Sequence, residues 1–160
     1  MPKSPMSRRQ LLFSGGAAAL ALASVAGWYA WRFAPAYDGG ALSVAEARAR
    51  AEAGEILLID IRRPDEWHAT GVGAGAHPID MRRPDFAEEL ARIAGPGGQD
   101  RPIALICARG VRSARLARRL TEAGWSRIID VPEGMLGSSA GPGWLGAGLP
   151  VAAPKQGADG

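Results

Sequence analysis

A single cysteine, Cys107, stands where an apolar stretch of the sequence ends and a helical pattern begins. The apolar stretch covers residues 102–106 and predicts a buried strand, and the pattern that follows predicts a helix over residues 112–123. Ligands of open α/β sheets bind at the carboxyl ends of the strands, where this cysteine is expected to lie. The loop between the two elements contains one glycine and two arginines, in the order Cys107, Ala108, Arg109, Gly110, Val111, Arg112 and Ser113.

Three features of this loop favour an ionised thiol. The first N–H groups of a helix attract an anion, and a glycine lets successive N–H groups curl into an anion-binding nest. Arg109 and Arg112 add positive charge. A lone cysteine is more often an inert buried side chain. Because all three features stabilise a thiolate, we interpret Cys107 as a nucleophile.

The elements that must position this loop alternate between strands and helices. Such alternation predicts an α/β domain with a parallel central sheet flanked by helices. Ser43 and Glu46 have the spacing of a capping box at the start of the first helix. We predict strands over residues 56–59, 77–79, 102–106 and 128–131, helices from 43 to about 54, from 64, over 84–93 and over 112–123, and a loop over 70–78. The tryptophans expected in the core are Trp67, Trp125 and Trp144.

Four segments of the sequence together resemble the single-domain rhodanese family of sulfurtransferases. They are the Cys-x-x-Gly-x-Arg-Ser loop 107–113, the Asp-x-Arg and Glu-aromatic patterns within residues 60–67, the Gly-Ala pair 75–76, and the turn 133–135 with the closing Trp…Gly-Leu-Pro of residues 144–150. The segments occur in the family's order and together cover about residues 41–151. The resemblance implies the rhodanese-like α/β fold, with the active-site loop at the carboxyl edge of the strands.

The resemblance also implies a chemistry for the loop. The Cys107 thiolate attacks the outer sulfur of a donor such as thiosulfate, sulfite leaves, and a persulfide stays on the cysteine until cyanide or a thiol removes it. The N–H groups of residues 108–113 cradle the terminal sulfur. Arg109 is either a contact of the anionic donor or a solvated loop charge, and Arg112 orders the loop and adds to its field.

Asp60 and Arg62 belong to the same resemblance, which implies that they brace the loop from the neighbouring strand end. The sequence departs from the family's pattern at three places. Residues 71–73 read Gly-Val-Gly where many members have Gly-His-Ile, Glu133 stands in place of one glycine of a Gly-Gly turn, and residues 136–143 are rich in Gly and Ser. These departures leave the cysteine loop intact, but they alter the rim of its pocket and therefore bear on the substrate.

Three other functions are compatible with the same cysteine. Phosphatases and arsenate reductases of this fold have a loop one residue longer between Cys and Arg. Arg112 stands only five positions after Cys107, which favours the shorter, sulfur-sized loop. A membrane-tethered carrier that holds persulfide for a partner protein needs the same thiol as an enzyme, whereas a purely structural module would tolerate its loss.

The N-terminus resembles the twin-arginine export signal of bacteria. Arg8 and Arg9 follow Ser7 and precede two leucines and an uncharged stretch over residues 11–31, which is long enough to span about 30 Å of hydrocarbon. We expect export or inner-membrane association, with the domain on the periplasmic side. Small residues around Ala23 fit cleavage and the aromatic residues at 28–31 fit an uncleaved anchor, so both outcomes remain open.

These observations divide the chain of 160 residues into four parts. We predict a signal or anchor over 1–33, a linker over 34–40, the rhodanese-like domain over 41–151 and a disordered tail over 152–160.

The composition and charge of the chain limit the classes of partner and cofactor that it is expected to bind. The net charge is +3 and the isoelectric point is about 9.6, but the arginines form no continuous basic run and accompany no RNA-binding motif. We therefore predict no nucleic-acid partner, and we expect a small sulfur-containing anion as donor with cyanide, a thiol or a protein as acceptor. One cysteine excludes an intrachain disulfide. His68 and His77 lack ligand spacing, so no metal or other cofactor is expected.

Overall fold

Short apolar runs form the strands of the domain, and longer amphipathic stretches form the helices that cover them. The structure, a computed structural model, describes residues 39–154. The strands are β1 (Gly40–Ala41), β2 (Leu57–Asp60), β3 (Val72–Gly73), β4 (His77–Pro78), β5 (Ile103–Ile106), β6 (Ile128–Val131) and β7 (Val151–Ala152). The helices are α1 (Val44–Glu52), α2 (Pro64–Thr70), α3 (Phe86–Ala94), α4 (Val111–Glu122) and α5 (Gly143–Gly146), with a short 3-10 turn at Gly98–Asp100.

The main sheet has five parallel strands in the order β1-β6-β5-β2-β4. Asp60 of β2 is paired with Ile106 of β5, which in turn is paired with Val131 of β6. The three central strands therefore end at the same level. This register brings the residues that follow each strand to one edge of the sheet, and Cys107 is in the middle of that edge. The predicted α/β architecture is confirmed.

Helices cover both faces of the sheet. Helix α4 buries Ser113, Leu116, Ala117 and Leu120, which recur at helical spacing on one side. Together with α3 it packs on the face that carries Leu105 and Cys107. The opposite face packs against α1 and Trp144. The tryptophans expected in the core are all buried, as Trp67, Trp125 and Trp144.

Most predicted elements are present within about two residues of the predicted bounds. The capping box of α1 is formed, because the Ser43 hydroxyl accepts the Glu46 N–H and the Glu46 carboxylate accepts the Ser43 N–H. The exception is the segment predicted as a loop, in which β3 pairs antiparallel with β7. Gly73 lets this ribbon lie against Trp144, since a Cβ at Gly73 would approach Trp144 Cε2 to 2.9 Å.

Part of the predicted domain organisation lies outside the described residues. The signal or anchor, most of the linker, and residues 155–160 of the tail fall there. Gly40, the last residue of the predicted linker, lies in β1, and Ala152, the first residue of the predicted tail, lies in β7. Among the helices of residues 39–154, none is long and apolar enough to cross a membrane.

A buried ion pair attaches α2 to the end of β2. Arg62 and Asp60 are 1% and 0% exposed, and Arg62 Nη2 lies 2.7 Å from Asp60 Oδ2. The guanidinium also donates to the Thr70 hydroxyl at 2.8 Å and to the Gly71 carbonyl at 2.7 Å. Because Glu66 O accepts a further hydrogen bond at 3.2 Å, one arginine holds the helix and the turn after it.

Removal of this arginine should therefore destabilise the fold strongly. Arg62→Ala is expected to lower the free energy of unfolding by about 3–5 kcal/mol, because Asp60 would stay buried without its partner. The double variant Asp60→Asn/Arg62→Met, which removes both charges, should recover much of this loss. Arg92→Ala, which breaks the exposed pair with Glu89, is the control and should change little. Urea unfolding measures all three, and equal losses in Arg62→Ala and Arg92→Ala would contradict the argument.

Candidate active site

Cys107 directly follows β5 and its side chain is 1% exposed. Its carbonyl oxygen accepts the Met135 N–H at 2.8 Å, and the next carbonyl, that of Ala108, accepts the Leu136 N–H at 2.9 Å. The turn after β6 thus holds the first two peptide groups of the cysteine loop. Because these carbonyls point to the turn, the N–H groups of the loop are left to face elsewhere.

Two glycines allow the loop and the turn to approach this closely. Gly110 has a φ of 79° and precedes the first residue of α4, and a Cβ there would overlap the carbonyl of Pro132. Gly134 has a φ of 68°, and a Cβ there would lie 2.6 Å from the carbonyl oxygen of Ala108. Both positions combine a left-handed backbone with contact to another backbone segment, which glycine alone accepts without strain.

The backbone N–H groups of the loop after Cys107 have no acceptor among the described residues. Among the hydrogen bonds of the described residues, none has its donor in the backbone N–H groups of residues 108–113. These groups include the start of α4, where the positive end of the helix dipole adds to the field. Unpaired N–H groups at a nearly buried sulfur provide the stabilisation that an anionic sulfur needs.

Arg112 is held beside the cysteine by a residue from another helix. Its Nη1 and Nη2 donate to Glu66 Oε2 and Oε1 at 2.8 and 2.6 Å, which makes a bidentate pair. The hydrogen bond from Arg112 lowers the pKa of Glu66. The same bond raises the pKa of Arg112, to which the Cys107 sulfur adds a smaller contribution. The guanidinium therefore stays charged next to the sulfur while its N–H groups bind Glu66.

Arg109 differs from Arg112 in its exposure and in its partners. The side chain is exposed, and its Nη1 donates one long hydrogen bond, at 3.3 Å, to the Gly137 carbonyl. Val111 of the loop and Leu136 of the turn are 57% and 44% exposed. We call the three exposed side chains of the loop and the turn, one cation and two apolar residues, the rim of the site.

The side chain of Ser113 also contacts the sulfur. It is buried in the first turn of α4, and its Oγ lies 3.5 Å from Cys107 Sγ. The hydroxyl also donates to the Gly110 carbonyl at 3.0 Å. The sequence predicts only a backbone N–H donor at this position, and the structure adds a side-chain contact.

The other predicted site residues lie near the loop but differ in what they bind. Among the described hydrogen bonds of Asp60 and Arg62, none reaches residues 108–113. These two residues brace α2 instead, and α2 carries Glu66, which binds Arg112. The bracing expected from the sequence is therefore indirect, through one helix and one ion pair.

Glu133, which replaces a glycine of the family's turn, has a defined structural role. Its buried carboxylate accepts the Val44 N–H and the Gly143 N–H, each at 3.1 Å. It thereby ties the turn to the start of α1 and to the segment 137–143. The sequence shows this residue only as a departure from the family's pattern, because Val44 is distant in the chain and Gly143 lies in a glycine-rich segment.

The described residues contain no group of three or more His, Cys, Asp or Glu side chains that could hold a metal ion. The site contains one sulfur, a loop whose N–H groups have no acceptor among the described residues, and a charged arginine. This set suits an anionic sulfur species bound at Cys107.

Comparisons with known proteins agree with this arrangement. A family model described as a rhodanese-like domain matches residues 43–140. A sulfurtransferase of Allochromatium vinosum is 27% identical over 105 residues, which are 66% of this chain and 86% of that protein. The thiosulfate sulfurtransferase GlpE of Tolumonas auensis is 24% identical over 96 residues, which are 60% of this chain and 84% of that protein.

A solved structure extends the likeness to three dimensions. The solution structure of the polysulfide-sulfur transferase homodimer of Wolinella succinogenes matches with a TM-score of 0.61 and 28% identity, over 82% of this chain and 90% of that chain. The family match covers more than half of the sequence, and it includes both the cysteine loop and the turn that holds it. The chain therefore belongs to the rhodanese-like domain family, and its sulfurtransferase relatives support sulfur transfer as its general chemistry.

Proposed function

We propose that this protein moves sulfane sulfur from a small anionic donor to a thiophilic acceptor through a persulfide on Cys107. The observation that carries the proposal is the set of N–H groups at residues 108–113, which donate to no other group among the described residues. Donors fixed in place before the reaction stabilise charge without reorganisation. They suit the thiolate that attacks and the persulfide anion that follows.

The proposed reaction has two displacements at sulfur. The thiolate of Cys107 attacks the outer sulfur of thiosulfate, a new S–S bond forms, and sulfite leaves with the electron pair of the bond that breaks. Cyanide then attacks the terminal sulfur, its bond to Cys107 breaks, and thiocyanate departs while the thiolate returns. A thiolate acceptor reacts in the same way and becomes a persulfide itself.

The burial of Cys107 and the charge of Arg109 favour a small, narrow anion as the sulfur donor. Cys107 is only 1% exposed, so a donor must reach it with one protruding atom, as the outer sulfur of thiosulfate does. Arg109 is exposed on the rim of the site and is suited to attract a dianion. The apolar rim residues Val111 and Leu136 offer no hydrogen-bonding side chain to the donor.

The contacts of Arg112 disfavour the phosphatase alternative. A phosphoryl group needs bidentate N–H donors from an arginine, and here the bidentate face of Arg112 is bound to Glu66. The loop is also one residue shorter than the loops of those enzymes, which leaves space for sulfur rather than for a tetrahedral oxyanion. The carrier alternative uses the same persulfide and differs only in its acceptor, a partner protein.

We further propose that the domain works on the periplasmic side of the inner membrane, or in the soluble periplasm after cleavage. The support is the Ser7-Arg8-Arg9 sequence followed by the uncharged stretch 11–31. A domain without disulfides that is exported after folding keeps its single thiol available.

Mass spectrometry of the intact protein tests directly whether the persulfide forms. Purified full-length protein incubated with thiosulfate is expected to gain the mass of one sulfur atom, and to lose it as thiocyanate when cyanide is added. Cys107→Ser should show neither event, because the chain has no other cysteine. An unmodified mass across thiosulfate, polysulfide and organic persulfide donors would overturn the proposal, and turnover of an aryl phosphate would favour the phosphatase alternative.

Glu66 should matter for transfer because it orients Arg112. Glu66→Gln is expected to slow persulfide formation about tenfold, which corresponds to roughly 1.4 kcal/mol of lost transition-state stabilisation. Glu89→Gln loosens Arg92 in the same way on the exposed side of α3 and should leave the rate unchanged. Stopped-flow measurement of sulfite release compares them, and equal rates in the two variants would exclude the orienting role.

Export can be tested with a reporter fused to the C-terminus that is active only outside the cytoplasm. The fusion is expected to be active, and Arg8→Lys/Arg9→Lys should abolish the activity. Lys3→Gln changes the charge of the same region without touching the pair and should leave it unchanged. Activity that survives the double substitution would argue for another export route.

A further inference from the structure

One segment of the domain carries a concentration of positive charge that the reaction at Cys107 does not use. Between Asp100 and Glu122 the chain has six arginines and no acid. Residues 39–154 as a whole contain fourteen arginines and fourteen acids, so outside this segment the acids outnumber the arginines by six. The described domain is therefore formally neutral, but its excess of positive charge lies in the segment that contains the cysteine loop and α4.

Helix α4 gathers three of these arginines on its exposed side. Its buried residues 113, 116, 117 and 120 recur at helical spacing and pack toward the sheet. Arg115, Arg118 and Arg119 are exposed, and helical geometry places them on the opposite side. We call these three arginines the α4 face; the acid of this helix is Glu122, in its last turn. The three arginines are separated in the sequence, and the helix brings them together.

The α4 face begins next to the rim of the site. Val111 belongs to the rim and is also the first residue of α4. Three large hydrophobic side chains are exposed among residues 39–154, and two of them, Val111 and Leu136, are rim residues. Protein interfaces typically have an apolar centre and are enriched in arginine. The rim and the α4 face together thus have the composition of one interface.

This surface extends farther than a small sulfur anion can reach. Arg119 is eight residues after Val111, which corresponds to about 12 Å along the helix axis. A donor such as thiosulfate, which spans only a few bonds, cannot contact Cys107 and this end of α4 at once. Arg112, which lies between them, already has its bidentate partner in Glu66. The occupant that suits the α4 face is therefore a larger molecule.

The chemistry at the rim favours a protein over a lipid surface as that molecule. A protein can bring the thiol that accepts the sulfur, whereas a lipid head group brings none. An anionic lipid surface on the α4 face would also lie over the start of the helix and repel the anionic donor from the site. Because Cys107 is 1% exposed, the acceptor thiol must be on a segment that protrudes from the partner.

We propose that the α4 face and the rim dock an acidic partner protein, whose acceptor thiol takes the sulfur from Cys107. The partner's carboxylates pair with the arginines of the α4 face, and apolar side chains around its thiol cover the rim. The partner's thiolate attacks the terminal sulfur of the persulfide, the bond from that sulfur to Cys107 breaks, and its electron pair stays on Cys107 as the thiolate. The proposal rests on the sulfur transfer proposed above and assigns its acceptor.

Short synthetic peptides serve as probes for the acidic partner. About six residues of extended chain span the length of α4. One probe has glutamates followed by a terminal serine, its counterpart has glutamines in place of the glutamates, and both carry an uncharged fluorophore. Fluorescence anisotropy with the full-length protein measures both dissociation constants. Wild type is expected to bind the glutamate peptide about tenfold more tightly at low salt, because each exposed charge pair contributes about a factor of two, and added KCl should remove the preference.

Substitution of the α4 face should remove the preference for the acidic peptide. Arg115→Gln/Arg118→Gln/Arg119→Gln is expected to bind both peptides alike, within about a factor of two, because the charge pairs are lost. Glutamine has nearly the helix propensity of arginine, and the three side chains are exposed, so the helix should be retained. Circular dichroism checks that it is.

A matched variant removes the same charge elsewhere on the domain. Arg48→Gln/Arg50→Gln/Arg92→Gln takes three cations from α1 and α3 and should keep the wild-type preference. A second pair of probes, with cysteine in place of serine, measures transfer from the persulfidated protein by mass. The glutamate peptide should accept sulfur about tenfold faster than the glutamine peptide in wild type and in the matched variant, and this difference should be lost in the α4 variant.

The outcomes separate docking from sulfur transfer, because the serine peptides need no sulfur donor. Equal binding of the two serine peptides by wild type, or the same preference in the α4 variant, would overturn the docking surface even where the persulfide forms. A preference that depends on the α4 face, in a protein that forms no persulfide, would retain the surface and remove the proposed function. Vesicles of phosphatidylcholine with and without phosphatidylglycerol test the lipid alternative. Binding that needs both phosphatidylglycerol and the α4 arginines, without a preference between the peptides, would assign the face to lipid and overturn the proposal.

Discussion

The site depends on the approach of two backbone segments, the start of the cysteine loop and the turn after β6. The Met135 and Leu136 N–H groups bind the carbonyls of Cys107 and Ala108 at 2.8 and 2.9 Å. A peptide plane whose carbonyl is held on one side directs its N–H to the other. The turn therefore does more than cover the loop, because it fixes the orientation of the first two peptide groups after Cys107. The register of the central strands makes this possible, since β5 and β6 end at the same level.

The charges around the sulfur are arranged so that few of them are available to a ligand. Arg62 is bound to Asp60, and Arg112 is bound to Glu66. Arg109 remains exposed, with one long bond to a carbonyl. Arg112 is thus a fixed charge near the sulfur, and the start of α4 adds the positive end of its helix dipole. Backbone dipoles in a buried site are screened little by salt, whereas attraction by an exposed arginine weakens as ionic strength rises.

The parts of this site that are formed by one continuous segment could be predicted from the sequence. The loop 107–113 is a continuous segment after an apolar run, so its position at the sheet edge followed from pattern alone. The strands of the main sheet that have four residues were predictable for the same reason, whereas β3 and β7 have two residues each and show no periodicity. The pairing of Glu66 with Arg112 joins residues 46 positions apart, and nothing in the pattern of either segment indicates it.

Two acids near the end of β6 show why residue type alone could not complete the prediction. Glu133 and Asp130 are three positions apart, and both are buried. Glu133 accepts N–H groups at both carboxylate oxygens, so its charge is compensated and its role is to hold three segments together. Asp130 has an oxygen without a partner, and its pKa is raised by burial. The difference arises from the N–H groups that the distant chain brings to each carboxylate. An acid whose oxygens the fold supplies with donors holds segments of the chain together, whereas an acid left short of donors keeps its proton to a higher pH.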